Sequence, residues 1–231
     1  MDSAKIPKLL GVAYLAQFVA SLLSGSLIDA AIGTGDMSDQ LVNISNNLLL
    51  MRIGIIAELI TGIGIIVMTV LLYIVLRDQD KIISLVALTF WLAEVIFLLV
   101  SSIGANALIP ISQEYILGGV SDPSYFLTLG HLFYSFKEFA YTVHMLFFSL
   151  GGVLWYYLFY RSEYIPRALA LWGLIFIAIM PIDIFLVLLG FGIDSILRMI
   201  ALLPLIVYLP FEGIMGIWFI VKGLRNYDST N

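Results

Sequence analysis

Residues 136–160 read FKEFAYTVHMLFFSLGGVLWYYLFY. A bilayer crossing takes about 20 mostly apolar residues, and this stretch is long enough. Yet it carries Lys137, Glu138 and His144 near its start. A charge at the bilayer centre costs about 2.5–3.5 kcal/mol on the insertion scale, so a span does not hold such residues cheaply. Working outward, four further apolar stretches each hold an acid: Glu58, Glu94, Asp183 and Glu212. The pattern predicts an all-α integral membrane bundle of six helices, one domain over 1–231, with polar groups turned inward.

Composition sets the same frame. The chain has 231 residues, 61% hydrophobic and 12% charged. A soluble domain has roughly 25% charged residues, so most of this chain meets lipid. The net charge of −5 offers no basic patch for nucleic acid. There is no cysteine, which excludes disulfides, thiolate catalysis and cysteine-ligated metal.

The predicted spans are 9–30, 48–76, 82–104, 136–160, 167–189 and 196–221. Lys5 and Lys8 precede the first. A cationic start and an apolar run also fit a signal peptide, but this run is long and Gln17 interrupts it. Gly33 to Asn47 is rich in Gly, Asp and Asn and reads as a loop. In the second span Gly54, Gly62 and Gly64 permit close helix contact. The connector from Ala105 to Ser124 is the longest, and its core, Pro110 to Gly119, is apolar enough to lie on the membrane surface. From Tyr125 the pattern is helical again, either continuing into span four or bending at Gly130. Trp155, Tyr156, Tyr157 and Tyr160 read as an aromatic belt at an interface. Pro166 is placed to start span five. An N-terminus in the cytoplasm puts eight of the 11 lysines and arginines inside, leaving Arg52, Lys137 and Arg198 outside. That excess predicts cytoplasmic termini and a multi-pass protein of the cell membrane.

Two stretches carry a resemblance. One is Tyr160-Arg161-Ser162-Glu163-Tyr164-Ile165-Pro166-Arg167, followed by Ala168 to Gly173. The other is Pro210-Phe211-Glu212-Gly213, leading to Trp218-Phe219-Ile220-Val221-Lys222-Gly223. Together with six spans at this spacing, they resemble a family of prokaryotic multi-pass membrane proteins known by a domain-of-unknown-function label (DUF4386-type). The resemblance implies a multi-pass membrane protein and supplies no catalytic residue. In purely physical terms Arg161 and Arg167 are anchors able to meet lipid phosphates.

At about 1.5 Å per residue, Glu58 and Glu94 lie roughly 15 Å, and His144 and Asp183 roughly 10 Å, from the outer end of their spans, with Glu212 nearer the midplane. Lys137, Tyr141 and His144 are spaced i, i+4, i+7 and share a face. Tyr208 and Glu212 are i, i+4, and Pro210 between them frees a backbone carbonyl one turn earlier. The expected site is a cavity in the outer half of the bundle, built from Glu58, Glu94, His144, Asp183 and Glu212. Lys137, Glu138, Tyr141 and Tyr208 support it. Such a cavity suits a proton, a cation or a small polar molecule. The alternatives are a membrane-embedded hydrolase acting on a lipid or lipid-linked substrate, and a non-enzymatic partner or sensor subunit. The bland reading is that inward polar groups only hold helices together, each contact contributing about 0.6 kcal/mol. With His131 and His144 the only histidines and no H-E-x-x-H, neither a metal nor another cofactor is expected. The expected partners are the lipid bilayer and that small ligand.

Overall fold

The computed structural model describes residues 5–117, 123–191, 196–225 and 227, with the backbone alone over 196–206 and at 209. Among the described residues all regular structure is helical. The elements are α1 (Ile6–Ile32), α2 (Met37–Asn46), α3 (Leu48–Leu76), α4 (Lys81–Leu117), α5 (Ser124–Ser162), α6 (Arg167–Leu188) and α7 (Ile196–Val221). Five of them, α1, α3, α4, α5 and α6, are long and apolar enough to cross a membrane. In α7 the fully described stretch Pro210–Val221 is a shorter apolar segment. In hydrocarbon every backbone polar group must be satisfied within the chain, and a helix does this locally. The Arg198 side chain, expected on the outer side, lies outside the described residues, as does part of the expected 105–124 connector.

The structure departs from the sequence reading at three places. The 33–47 connector is not all loop, because it contains α2. Asp36 caps this helix by accepting from the Asp39 amide at 3.0 Å. Hydrogen bonds from the Ser38 hydroxyl and then that amide hold the Asp36 carboxyl below its ordinary range. Met37, Leu41 and Ile44, spaced i, i+4, i+7, form the buried face of α2.

The second departure concerns the expected surface connector from Ala105. Helix α4 runs on through Pro110 to Leu117. Its buried positions continue at helical spacing, Ser101, Ala105, Leu108 and Ser112, while Pro110 falls on an exposed face. Proline removes one donor but does not stop a helix whose packing continues on the opposite side. The third departure is in the aromatic belt. Tyr157 and Tyr160 are 40% exposed, but Trp155 and Tyr156 are 0% exposed and belong to the core. The segment 124–162 is one helix, with no break at Gly130. Helices α4 and α5, with 37 and 39 residues, extend to about 55 and 58 Å, against about 30 Å of hydrocarbon.

The chain divides into two compact units, and α1, α3, α4 and α5 contribute a segment to each. Unit 1 is Met1–Phe18, Gly64–Val95 and His144–Asn231; unit 2 is Val19–Ile63 and Ile96–Val143. The core of unit 2 gathers Ile28, Ala31, Ile44, Met51, Leu108 and Ile109. A smaller cluster joins Met37 and Leu41 of α2 to Ile111 of α4.

The core of unit 1 is aromatic. Trp91 meets Trp155 edge-on at 6.0 Å and stacks with Phe148 at 6.2 Å. Its indole N–H donates to the Phe148 carbonyl at 3.0 Å. Gly151 makes this possible, since a Cβ there would collide with the Trp91 ring. The same unit ties its polar ends together at Tyr164. Its carbonyl accepts from the Arg225 amide at 2.8 Å, and its ring meets Tyr227 at 5.6 Å. Its hydroxyl accepts from Gln79 Nε2 at 3.0 Å. The two sequence stretches that carry the family resemblance meet where the Trp172 ring packs on Phe211 at 5.7 Å. Arg161 faces Asp80 at 3.7 Å and Arg167 pairs with Glu163 at 2.7 Å, so both cations have acidic partners in the chain.

The contact between α1 and α7 is backbone to backbone. A Cβ on Gly11 would lie 2.7 Å from the Gly216 carbonyl oxygen, which has no flexible end to yield. Gly11→Ala is expected to destabilise the protein by about 1–3 kcal/mol in thermal unfolding in mild detergent. Gly25→Ala, where nothing lies within 4 Å of the new Cβ, is expected to be neutral or stabilising by up to about 1 kcal/mol. Equal behaviour of the two variants would contradict the close approach.

Candidate functional site

Unit 1 holds a buried polar group drawn from four helices. Tyr14 and Gln17 come from α1, Glu94 from α4, His144 and Tyr156 from α5, and Tyr208 and Glu212 from α7. Gln17 Nε2 donates to Glu212 Oε2 at 3.4 Å, a long contact. Tyr156 and Tyr208 share a hydrogen bond at 2.9 Å, with either hydroxyl able to donate. His144 Nδ1 lies 3.2 Å from the backbone carbonyl of Glu94. A carbonyl only accepts, so Nδ1 carries the hydrogen. The same nitrogen is 3.9 Å from Glu94 Oε1.

The groups sense one another beyond these bonds. The charge of Glu212 acts on Glu94, and both carboxylates act on Tyr14. Two atoms of this polar group stay unsatisfied among the described residues. Glu94, 2% exposed, has no hydrogen-bond partner for Oε2 among the described residues. Tyr14 Oη faces the Tyr156 hydroxyl without closing a hydrogen bond. A buried polar atom without a partner loses its hydration with no return, so it marks capacity for a further donor or acceptor.

Unit 2 holds a second polar group of different character. Glu58 Oε2 accepts from the Ser102 hydroxyl at 2.7 Å, and that hydroxyl also approaches the Leu98 carbonyl at 3.2 Å. Lys137 is buried along its stem, and its ammonium meets Glu138 Oε1 at 2.7 Å and the Tyr134 ring at 5.8 Å. The Lys137 charge is also felt at Glu58. Ser101 donates to the Lys137 carbonyl at 3.2 Å, at the point where Gly104 lets α4 and α5 approach. This is a compensated ion cluster, with each charge answered by a neighbour.

The sequence-predicted residues therefore divide. Glu94, His144, Glu212 and Tyr208 come together in unit 1, and Glu58, Lys137 and Glu138 in unit 2. Asp183 is half-buried on α6 of unit 1 and is not a free carboxylate. Tyr141 is 43% exposed, so the face it shares in sequence with Lys137 and His144 is not uniformly buried. Tyr14, Gln17, Tyr156 and Ser102 were not anticipated as members. Gln17 gave a signal, as the polar break in span one, and Tyr14 lies one turn before it. Among the described residues no three His, Cys, Asp or Glu side chains converge as metal ligands do.

Comparison with known proteins adds the family. Residues 9–223 match the model of a domain of unknown function (DUF4386). The chain belongs to this family. The match covers all the described helices except the first residues of α1, so both polar groups lie inside the family domain. No curated protein and no solved structure matches the chain.

The Glu58–Ser102 contact gives a direct test of how unit 2 is held. Ser102→Ala removes the donor from a buried carboxyl and is expected to cost about 1–3 kcal/mol in thermal unfolding. Replacing both partners, Glu58→Leu with Ser102→Ala, is expected to restore most of the loss. A Ser102→Ala variant as stable as the wild type would show that the bond contributes nothing.

Proposed function

We propose that the polar group of unit 1 is an intramembrane proton-binding site, and that the protein moves or couples protons across the cell membrane. The observation that carries this reading is Glu94, a buried carboxyl whose Oε2 has no donor among the described residues while Oε1 faces His144. Ionisable residues inside membrane spans are costly, and a proton relay is one of the roles that retains them. Glu94 and Glu212 are the proton holders in this account. The Tyr156–Tyr208 pair supports transfer between them, because a hydroxyl donates and accepts at once. The His144 Nδ1–H donates to the Glu94 backbone carbonyl and lies 3.9 Å from Glu94 Oε1, which sets the imidazole beside the carboxyl. A proton suits this donor set better than a metal ion, which asks for several His or carboxylate ligands in fixed geometry.

The same proposal takes α7 as a sixth span and both termini as cytoplasmic. The cation excess on the inner loops supports that orientation.

The test is proteoliposomes loaded with a pH-sensitive dye and given an imposed pH gradient. Wild-type protein is expected to dissipate the gradient faster than empty vesicles. Glu94→Gln and Glu212→Gln are expected to reduce the rate to that of empty vesicles while the purified variants still fold. Undiminished proton flux in both variants would sink the proposal.

A further inference from the structure

Unit 1 also contains a groove whose lining shares no residue with the Glu94 group. It is a cavity of ≈ 350 Å³ between the start of α1 and the end of α7. Pro7 and Phe219 give it apolar walls, and Lys8 and Lys222 both line it with exposed ammonium-bearing side chains. Arg225 lies on the same tail, its guanidinium 5.4 Å from the Trp218 ring.

The groove has fixed walls. Helix α7 closes where the Lys222 and Gly223 amides both donate to the Trp218 carbonyl, at 2.8 and 3.2 Å. Gly223 takes φ +67°, the left-handed conformation that suits glycine after a helix. That turn brings Tyr227 back as a further wall, and the tail is held by the Arg225 amide on the Tyr164 carbonyl.

The chemistry of this lining is amphiphilic. Two ammonium groups call for an anion, and an apolar wall calls for hydrocarbon. Next to the cations in sequence, Leu9 is 43% and Val221 67% exposed, so each lysine is flanked by exposed apolar surface. A free anion uses the lysines and leaves that surface bare. A phospholipid uses both, because its phosphate sits where its acyl chains begin. The groove also lies where the apolar helix α7 gives way to the polar segment Lys222–Arg225, a boundary of the kind that suits headgroup level.

We propose that this groove is a binding site for the phosphate headgroup of an anionic phospholipid, held by Lys8 and Lys222. It is independent of the proton-binding reading and of which way the chain faces.

The test is native mass spectrometry of the full chain after reconstitution in phosphatidylglycerol or phosphatidylcholine nanodiscs and release into mild detergent. Wild type is expected to retain phosphatidylglycerol in preference to phosphatidylcholine. The double variant Lys8→Gln, Lys222→Gln is expected to retain it about 30-fold less, from about 1 kcal/mol per cation near the surface. Lys81→Gln, an exposed cation outside the groove, is expected to leave retention unchanged. Equal retention of the two lipids by wild type would overturn the proposal, and so would an undiminished adduct in the double variant. Inorganic phosphate competing as well as phosphatidylglycerol would overturn the lipid assignment.

Discussion

A bilayer interior supplies no water to complete a hydrogen bond. Every polar group carried into it must find its partner within the chain or leave its desolvation uncompensated. Backbone groups meet this demand through helices. Side chains meet it only if the helices turn toward one another, and that need explains where the acids of this chain are found. Glu58 and Glu94 are both buried, on different helices and in different units.

The two solve the problem differently. Glu58 is answered by the Ser102 hydroxyl and by the charge of Lys137, which is itself paired with Glu138. That arrangement is complete, and it reads as structure. Glu94 is incomplete. It has His144 on one side, feels the like charge of Glu212, and keeps one oxygen without a donor among the described residues. Holding a buried, half-satisfied carboxyl costs stability, and it is tolerated where the group has a task. The proposed site rests on the difference between these two acids, which neither burial nor residue type alone would have disclosed.

How much of this the sequence discloses depends on contrast around each helix. Helix α3 runs from Leu48 to Leu76, as expected, because its apolar run is bounded by polar punctuation. The family was legible from two stretches that the structure joins at Trp172 and Phe211. The buried face of α2 was also present in the spacing of Met37, Leu41 and Ile44, but the surrounding Gly, Asp and Asn read as loop. Long apolar helices disclose less. With hydrophobic residues on all sides, their rotation is hidden, so which polar side chains meet is hidden too. Glu212 was visible as a polar residue in a span, but its convergence with Tyr156 was not, because an aromatic residue near a helix end fits an interfacial belt equally well. Pro110 misled for a related reason: it breaks a donor, yet the buried stripe through Leu108 and Ser112 carries α4 past it.

The central claim is that Glu94 takes up and releases a proton inside the membrane domain. Infrared difference spectroscopy of the reconstituted protein, with pH stepped across the titration range, observes this at the carboxyl group itself. The account predicts a carboxylic acid C=O band that changes with proton load in the wild type and is missing in Glu94→Gln. Identical carboxyl difference bands in the two proteins would contradict it.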